Sequence, residues 1–303
     1  MAEEYLTWLA VDRGRARNTV AAYRRDLLAF HRFVCSEGRD MTDAEPGLVD
    51  DYLHRRRQEG ASPASIARCL AAIRGMYRFA IDELGSTDDP TDHVQNIRQP
   101  PRLPKALPEA TVVRLIDSIS GADPISRRDL AVVETLYGTG MRVGELVGLR
   151  LSDLGSETGL VRVLGKGGKE RLVPLGGCAA TAMARWLEPG GRPALEPRRW
   201  ARVTDAEAVF LNARGGRLTR QGVWAMLGNR AAAAGLNLAL HPHVLRHSCA
   251  THMLAHGADV RVVQELLGHA SVATTQLYTK VTLEHLRQAY EAAHPRASGR
   301  HQR

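Results

Sequence analysis

The chain has 303 residues, 44% of them hydrophobic and 24% charged, with a formal net charge of +8 at neutral pH. That length suits two domains with real cores, and the composition is that of a folded protein, not a disordered one. No apolar run approaches the ~20 residues that cross a bilayer, and the start MAEEYLTWLAVDRGRA has no apolar stretch ahead of a cleavage site, so a cytoplasmic protein with no membrane partner is expected.

In chain order, the first elements are helices. Apolar positions Val20, Tyr23, Leu27, Phe30 and Val34 step by three and four, which predicts a helix over 19–36 with Asn18 as its cap. Ser62-Pro63 starts another, whose buried stripe is Ile66, Cys69, Leu70, Ile73, Met76, Tyr77, Ala80 and Ile81. Shorter helices are expected over 4–11 and 48–58. The four make an N-terminal helical domain, residues 1–85. Residues 86–106 hold Pro90, Pro100, Pro101 and Pro104 and form a proline-rich linker.

Residues 107–303 form a second domain of mixed type. Helices are expected over 109–120, 126–137 (stopped by Gly138 or Gly140) and 142–150. Leu160–Leu164 is a strand, 165–169 a glycine-rich turn and 171–174 the returning strand. Helices follow over 178–187, 219–234, 242–256, 260–267, 272–279 and 283–292, with Gly257 and Gly268 as stops. Residues 189–207 are irregular and rich in Pro and Arg, which predicts a surface loop. The fold class is mainly α: a four-helix bundle, then a mixed α/β domain with a small antiparallel sheet.

The charge is unevenly placed. Residues 1–104 sum to −1 and residues 105–303 to +9, which points to a polyanionic partner for the second half. Arg13, Arg15, Arg17, Arg24 and Arg25, and Arg55, Arg56 and Arg57, are local clusters that could face phosphate or simply water. Only Lys105, Lys166, Lys169 and Lys280 are lysines, and a lysine, unlike arginine, can give up a proton. Cys35, Cys69, Cys178 and Cys249 form no C-x-x-C pair, so zinc or redox motifs are not supported and buried reduced thiols are expected.

Candidate chemistry lies at four places. Arg142, after Gly140, opens a helix where free N–H groups can help hold a phosphate; alternatively it pairs with Glu145 at i+3. Lys166 and Lys169 flank a glycine turn that lacks the Walker A spacing. His243 and Arg246 share a helix face, and His243 and His247 lack the glutamate of an H-E-x-x-H zinc site; Leu245, Met253 and Leu254 look like core. His269 follows a glycine stop, and Tyr278 ends a short helix. Singly, each has a plain structural reading. Jointly, Arg142, Arg246, Lys166, His243, His269 and Tyr278 suit phosphodiester chemistry: guanidiniums for the phosphate oxygens, histidines for protons and a phenol as nucleophile. No acidic cluster suggests a two-metal mechanism, so neither metal nor cofactor is expected.

At these residues the sequence resembles the tyrosine recombinase (phage integrase) family, closely its Xer branch. The resemblance rests on TGMRVGELVGL at 139–149, GKGGKERLVPL at 165–175, the stretch 243–270 that begins HVLRHSCATHM, and TTQLYT at 274–279. Arg17, Asn18, Thr19, Tyr23, Asp26, Leu27 and the tail from His294 to Ala297 also match. It implies an N-terminal SAM-like core-binding bundle and a catalytic domain clamped around DNA. Arg142 and Arg246 would grip the scissile phosphate, and Lys166, ahead of Lys169, would protonate the leaving 5′-hydroxyl. His243 would assist at the tyrosine, His269 would bond a phosphate oxygen, and Tyr278 would become linked to the 3′-phosphate without ATP. Glu145 would be a structural partner.

The resemblance further implies a homo- or heterotetramer with a sister recombinase on double-stranded DNA carrying a specific core site. Strand exchange would pass through a Holliday junction and resolve chromosome dimers at cell division, with a septal DNA translocase of the FtsK type as partner. The last helix, through Leu283, Leu286 and Tyr290, would dock on a neighbouring protomer; alternatively it packs on its own domain. TRQGVW at 219–224 leans to the XerD type and the tail to XerC. The alternatives are a phage or mobile-element integrase, whose arm-binding domain the near-immediate first helix argues against, a type IB topoisomerase, and a non-catalytic DNA-binding protein that should have lost part of the active set.

Overall fold

Ser62 and Pro63 start a 22-residue helix, α4 (Pro63–Leu84), in the computed structural model, which describes residues 1–85, 89–95, 106–155, 159–165, 170–238, 240–268 and 280–298. The Ser65 backbone N–H donates to Ser62 Oγ at 3.2 Å, and proline in the first turn sacrifices no helical bond. Gly85, in the left-handed region at φ 73°, ends the helix. Its stripe from Ile66 to Ala80 is buried as the spacing predicts, but Ile81 is exposed, because the helix extends past the core there.

Among the described residues, three more α-helices belong to this unit: α1 (Ala2–Val11), α2 (Arg17–Ser36) and α3 (Pro46–Gln58). Asn18 is not the cap of α2. Ala16 is, because its carbonyl already accepts from the Thr19 and Val20 N–H groups. Leu6, Leu27, Phe30, Val34, Leu53 and Ile73 form the centre of the core. Residues 89–95, inside the stretch expected as linker, belong to this unit: Val94 is buried in its core and its carbonyl accepts from Arg74. The chain divides into two units, Met1–Leu103 and Pro104–Arg303.

The second unit is built on α6 (Pro124–Thr139). Asp123 caps it and it is buried on almost every face, as a helix at the centre of a domain must be. Against it pack α5 (Glu109–Asp117), α8 (Gly177–Leu187) and α10 (Pro242–Ala255). A three-stranded antiparallel sheet runs β1 (Leu154–Gly155), β2 (Leu160–Leu164) and β3 (Glu170–Pro174), with Arg162 opposite Leu172. The two-residue β1 is too short to leave a period in sequence. The remaining helices are α7 (Val143–Gly148), α9 (Arg220–Ala233), α11 (Val260–Leu267) and α12 (Lys280–Ala293). The helix expected over 272–279 lies outside the described residues.

Several expectations need correction. Leu254 is exposed, on the outer side of α10, whereas Leu245 and Met253 are fully buried. Cys35 is exposed and Cys178 half-buried, so only Cys69 and Cys249 are buried thiols. Residues 189–207 do form a surface loop, anchored to the core at Arg192. Its buried Arg192 donates to the Ala206 and Ala208 carbonyls, at 2.6 and 2.9 Å.

Of the two alternatives for the last helix, the structure shows packing on its own domain: Leu286 and Tyr290 are buried in their own unit. The physical reason is a run of ring contacts: Tyr290 stacks on His294, and His294 packs tilted against Tyr137 of α6, with ring centroids 4.9 and 5.1 Å apart. The buried Arg296–Glu134 ion pair and a 2.7 Å bond from the Gly177 N–H to the Ala297 carbonyl secure the tail. The side chain of Leu283 lies outside the described residues. Among the described residues, no helix is long and apolar enough to cross a membrane.

Candidate active site

Gly140 ends α6 in the left-handed region, at φ 60°, and two residues later Arg142 caps α7. Met141, fully buried between them, anchors the turn. The third residue of α7, Glu145, turns back on the cap: its carboxylate accepts from the Arg142 backbone N–H at 2.7 Å and from the Arg142 guanidinium at 3.0 Å. This is the reciprocal half of a capping box, with the cap's side chain recruited as well. Of the alternatives open in sequence, the pairing of Arg142 with Glu145 at i+3 is present. Arg142 keeps 46% of its side chain exposed.

Arg246 approaches the same turn from α10. It is buried, and its guanidinium donates to the Gly140 carbonyl at 2.5 Å and the Leu267 carbonyl at 2.7 Å. The Arg142 guanidinium reaches the Gly268 carbonyl at 3.4 Å. Two arginines from separate helices thus meet on adjacent carbonyls at the end of α11. Gly268 ends α11 in the left-handed region at φ 65°.

The electrostatics favour an anion here. Burial and then the neighbouring Arg142 draw the Arg246 guanidinium down to about 10, against some support from Glu145. Burial raises the Glu145 carboxyl, but hydrogen bonds from Arg171 and Arg142 outweigh it and hold the group below the usual carboxylate range. A cation strained by burial beside another cation gains from a bound phosphate.

Of the six residues expected in the site, Arg142 and Arg246 are brought together. His243 is exposed in the first turn of α10, one turn from Arg246. Lys166, His269 and Tyr278, with Lys169, lie outside the described residues. The sequence reasoning missed Arg171. It is buried on β3, and its guanidinium bonds both Glu145 oxygens, at 3.0 and 2.9 Å, and the Leu266 carbonyl at 3.2 Å. Strand alternation could have found it, because Arg171 shares a face with the fully buried Val173. Beside this group, the exposed Arg220 of α9 lies against Gly144, where an added Cβ would be 2.7 Å from its guanidinium. Trp224, half-exposed on α9, stacks on His241 at 4.9 Å.

Gly140 is where glycine is required. A Cβ there would come within 2.7 Å of Leu267 Cδ2 and 3.3 Å of Cys249 Sγ, at a positive φ besides. Gly140→Ala is expected to destabilise the protein by about 2 kcal/mol, read as a lower midpoint in urea unfolding. Unchanged stability would show that the turn relaxes freely.

Residues 2–84 match the phage integrase N-terminal SAM-like domain, and residues 105–285 match the phage integrase family. The chain is 43% identical over 297 residues to the tyrosine recombinase XerD of Halalkalibacterium halodurans, covering 97% of each. It is 43% identical over 308 residues to that of Mycobacterium leprae, covering 97% of this chain and 96% of the other. Its fold matches a crystal structure of the XerH site-specific recombinase bound to a palindromic difH substrate, with a TM-score of 0.67 at 21% identity, covering 96% of this chain and 84% of that one. With both units matched and relatives this similar along almost the whole length, the chain belongs to the phage integrase family and is a site-specific tyrosine recombinase of the Xer branch.

Proposed function

We propose that this recombinase cleaves double-stranded DNA at a specific core site with Tyr278 as nucleophile. The phenolic oxygen attacks the scissile phosphorus, a 3′-phosphotyrosyl bond forms and the bond to the 5′-oxygen breaks. Lys166 delivers the proton to that leaving oxygen. Arg142 and Arg246 neutralise the non-bridging oxygens, His269 bonds one of them, and His243 handles the proton of the phenol. Attack by a 5′-hydroxyl from a second duplex reverses the step, and the conserved bond energy removes any need for ATP.

The observation that supports this reading best is the meeting of Arg142 and Arg246 at the end of α11, next to the segment that carries His269 and Tyr278. Arg220 and Trp224 on α9 extend the cationic and aromatic surface from there, and we assign them to DNA contact. Exchange proceeds in a tetramer, homomeric or with a sister recombinase, through a Holliday junction. Its role is resolution of chromosome dimers in the cytoplasm at cell division, with an FtsK-type translocase as partner. High identity to XerD proteins, together with TRQGVW at 219–224, favours the XerD position in such a pair.

Trapping the covalent complex on a nicked suicide duplex carrying candidate chromosomal sites tests the activity and the site together. Lys166→Ala should slow cleavage by about 100-fold or more on ordinary DNA, the range for loss of a general acid. A 5′-thiol leaving group, which needs no proton, should restore most of the rate. Failure of the thiol substrate to rescue would remove Lys166 from the acid role.

A further inference from the structure

Arg171 is buried beside Arg142. Its side chain is 8% exposed against 46% for Arg142. Each of its three guanidinium nitrogens donates a hydrogen bond, to the two Glu145 oxygens and the Leu266 carbonyl. It also lies against Gly268, where a Cβ would be 3.1 Å from the guanidinium carbon. Three elements are therefore tied at one point: β3, α7 and the end of α11.

The charge balance gives this knot a purpose. Glu145 is needed to orient Arg142, since it bonds both its backbone and its guanidinium. A carboxylate bonded to Arg142 alone would make a neutral pair and cancel the charge that a phosphate needs. A second guanidinium on the same carboxylate leaves the Arg142–Glu145–Arg171 group with one net positive charge. Burial sharpens this balance, because charges are poorly screened there.

We propose that Arg171 is a positioning residue for cleavage: it neutralises Glu145, so that the carboxylate can hold Arg142 in place without quenching it. The proposal rests on the assignment of Arg142 to the scissile phosphate. It predicts that the need for Arg171 exists only while Glu145 is charged.

The experiment measures the rate of covalent-complex formation at saturating enzyme on the nicked duplex. The proteins are the full chain and its Arg171→Met, Glu145→Gln and double variants, with Tyr278→Phe as the blank. Arg171→Met should cleave about 100-fold slower than the parent, the cost of a misplaced or quenched catalytic group. DNA affinity should stay within about threefold, because Arg171 touches no DNA. The double variant should match Glu145→Gln alone, within about threefold, and exceed Arg171→Met by at least about tenfold. If Arg171→Met fails to fold, the comparison of the double variant with Glu145→Gln still decides, since a neutral pair is tolerated in place of a buried ionic one. A double variant far slower than Glu145→Gln, or an Arg171→Met enzyme as fast as the parent, would overturn the proposal. If the parent forms no adduct on any candidate site, or Tyr278→Phe still forms one, the catalytic assignment fails instead.

Discussion

Tyr278→Phe should form no covalent adduct with DNA, with a loss of more than about 1,000-fold against the parent, while binding the same duplex with unchanged affinity. The size of the effect follows from chemistry. A nucleophile that carries the covalent intermediate has no substitute, so its removal leaves only the electrostatic contribution of the site. The benzene ring is retained, so packing and DNA contact should persist. The measurement is a denaturing gel of end-labelled suicide substrate beside a mobility-shift titration. An adduct that survives the substitution would show that another residue attacks.

The second large effect is expected at Arg246. Arg246→Lys keeps the charge yet should lower the cleavage rate by about 100-fold or more, the range seen when one transition-state donor is removed. A lysine ammonium cannot span the Gly140 and Leu267 carbonyls and still face a phosphate, because its donors radiate from one atom. One buried carbonyl would lose its donor, at a cost of about 1–3 kcal/mol in stability. Circular-dichroism melting and suicide-substrate kinetics on the same preparation separate the two losses. A variant that melts lower but cleaves at the parental rate would make Arg246 a purely structural residue.

Much of this was legible in the residues. The α4 start at Ser62-Pro63, the β2–β3 hairpin and α11 with its stop at Gly268 follow from spacing and turn chemistry. Most of the failures trace to a neighbour distant in sequence, and the Asn18 cap to a local one. Ile81 fits a helical stripe and Leu254 looks like core, but the first lies past the core and the second on the outer side of its helix. Arg171 reads as an ordinary strand residue until the fold sets Glu145 against it. Asn18 is a good cap by type, yet Ala16 has the carbonyl in place.

By itself the sequence determined the element types, the two-part division of charge and the inventory of reactive groups, because these depend on local backbone preference, side-chain period and functional-group chemistry. The tertiary structure alone decided that Arg142 and Arg246 share one turn, that Arg171 completes the group through Glu145, and that the tail packs on α6 of its own chain. Those outcomes depend on which segments find each other across long stretches of chain. No local preference encodes that meeting; it is set by the burial of complementary surfaces and the pairing of buried charges.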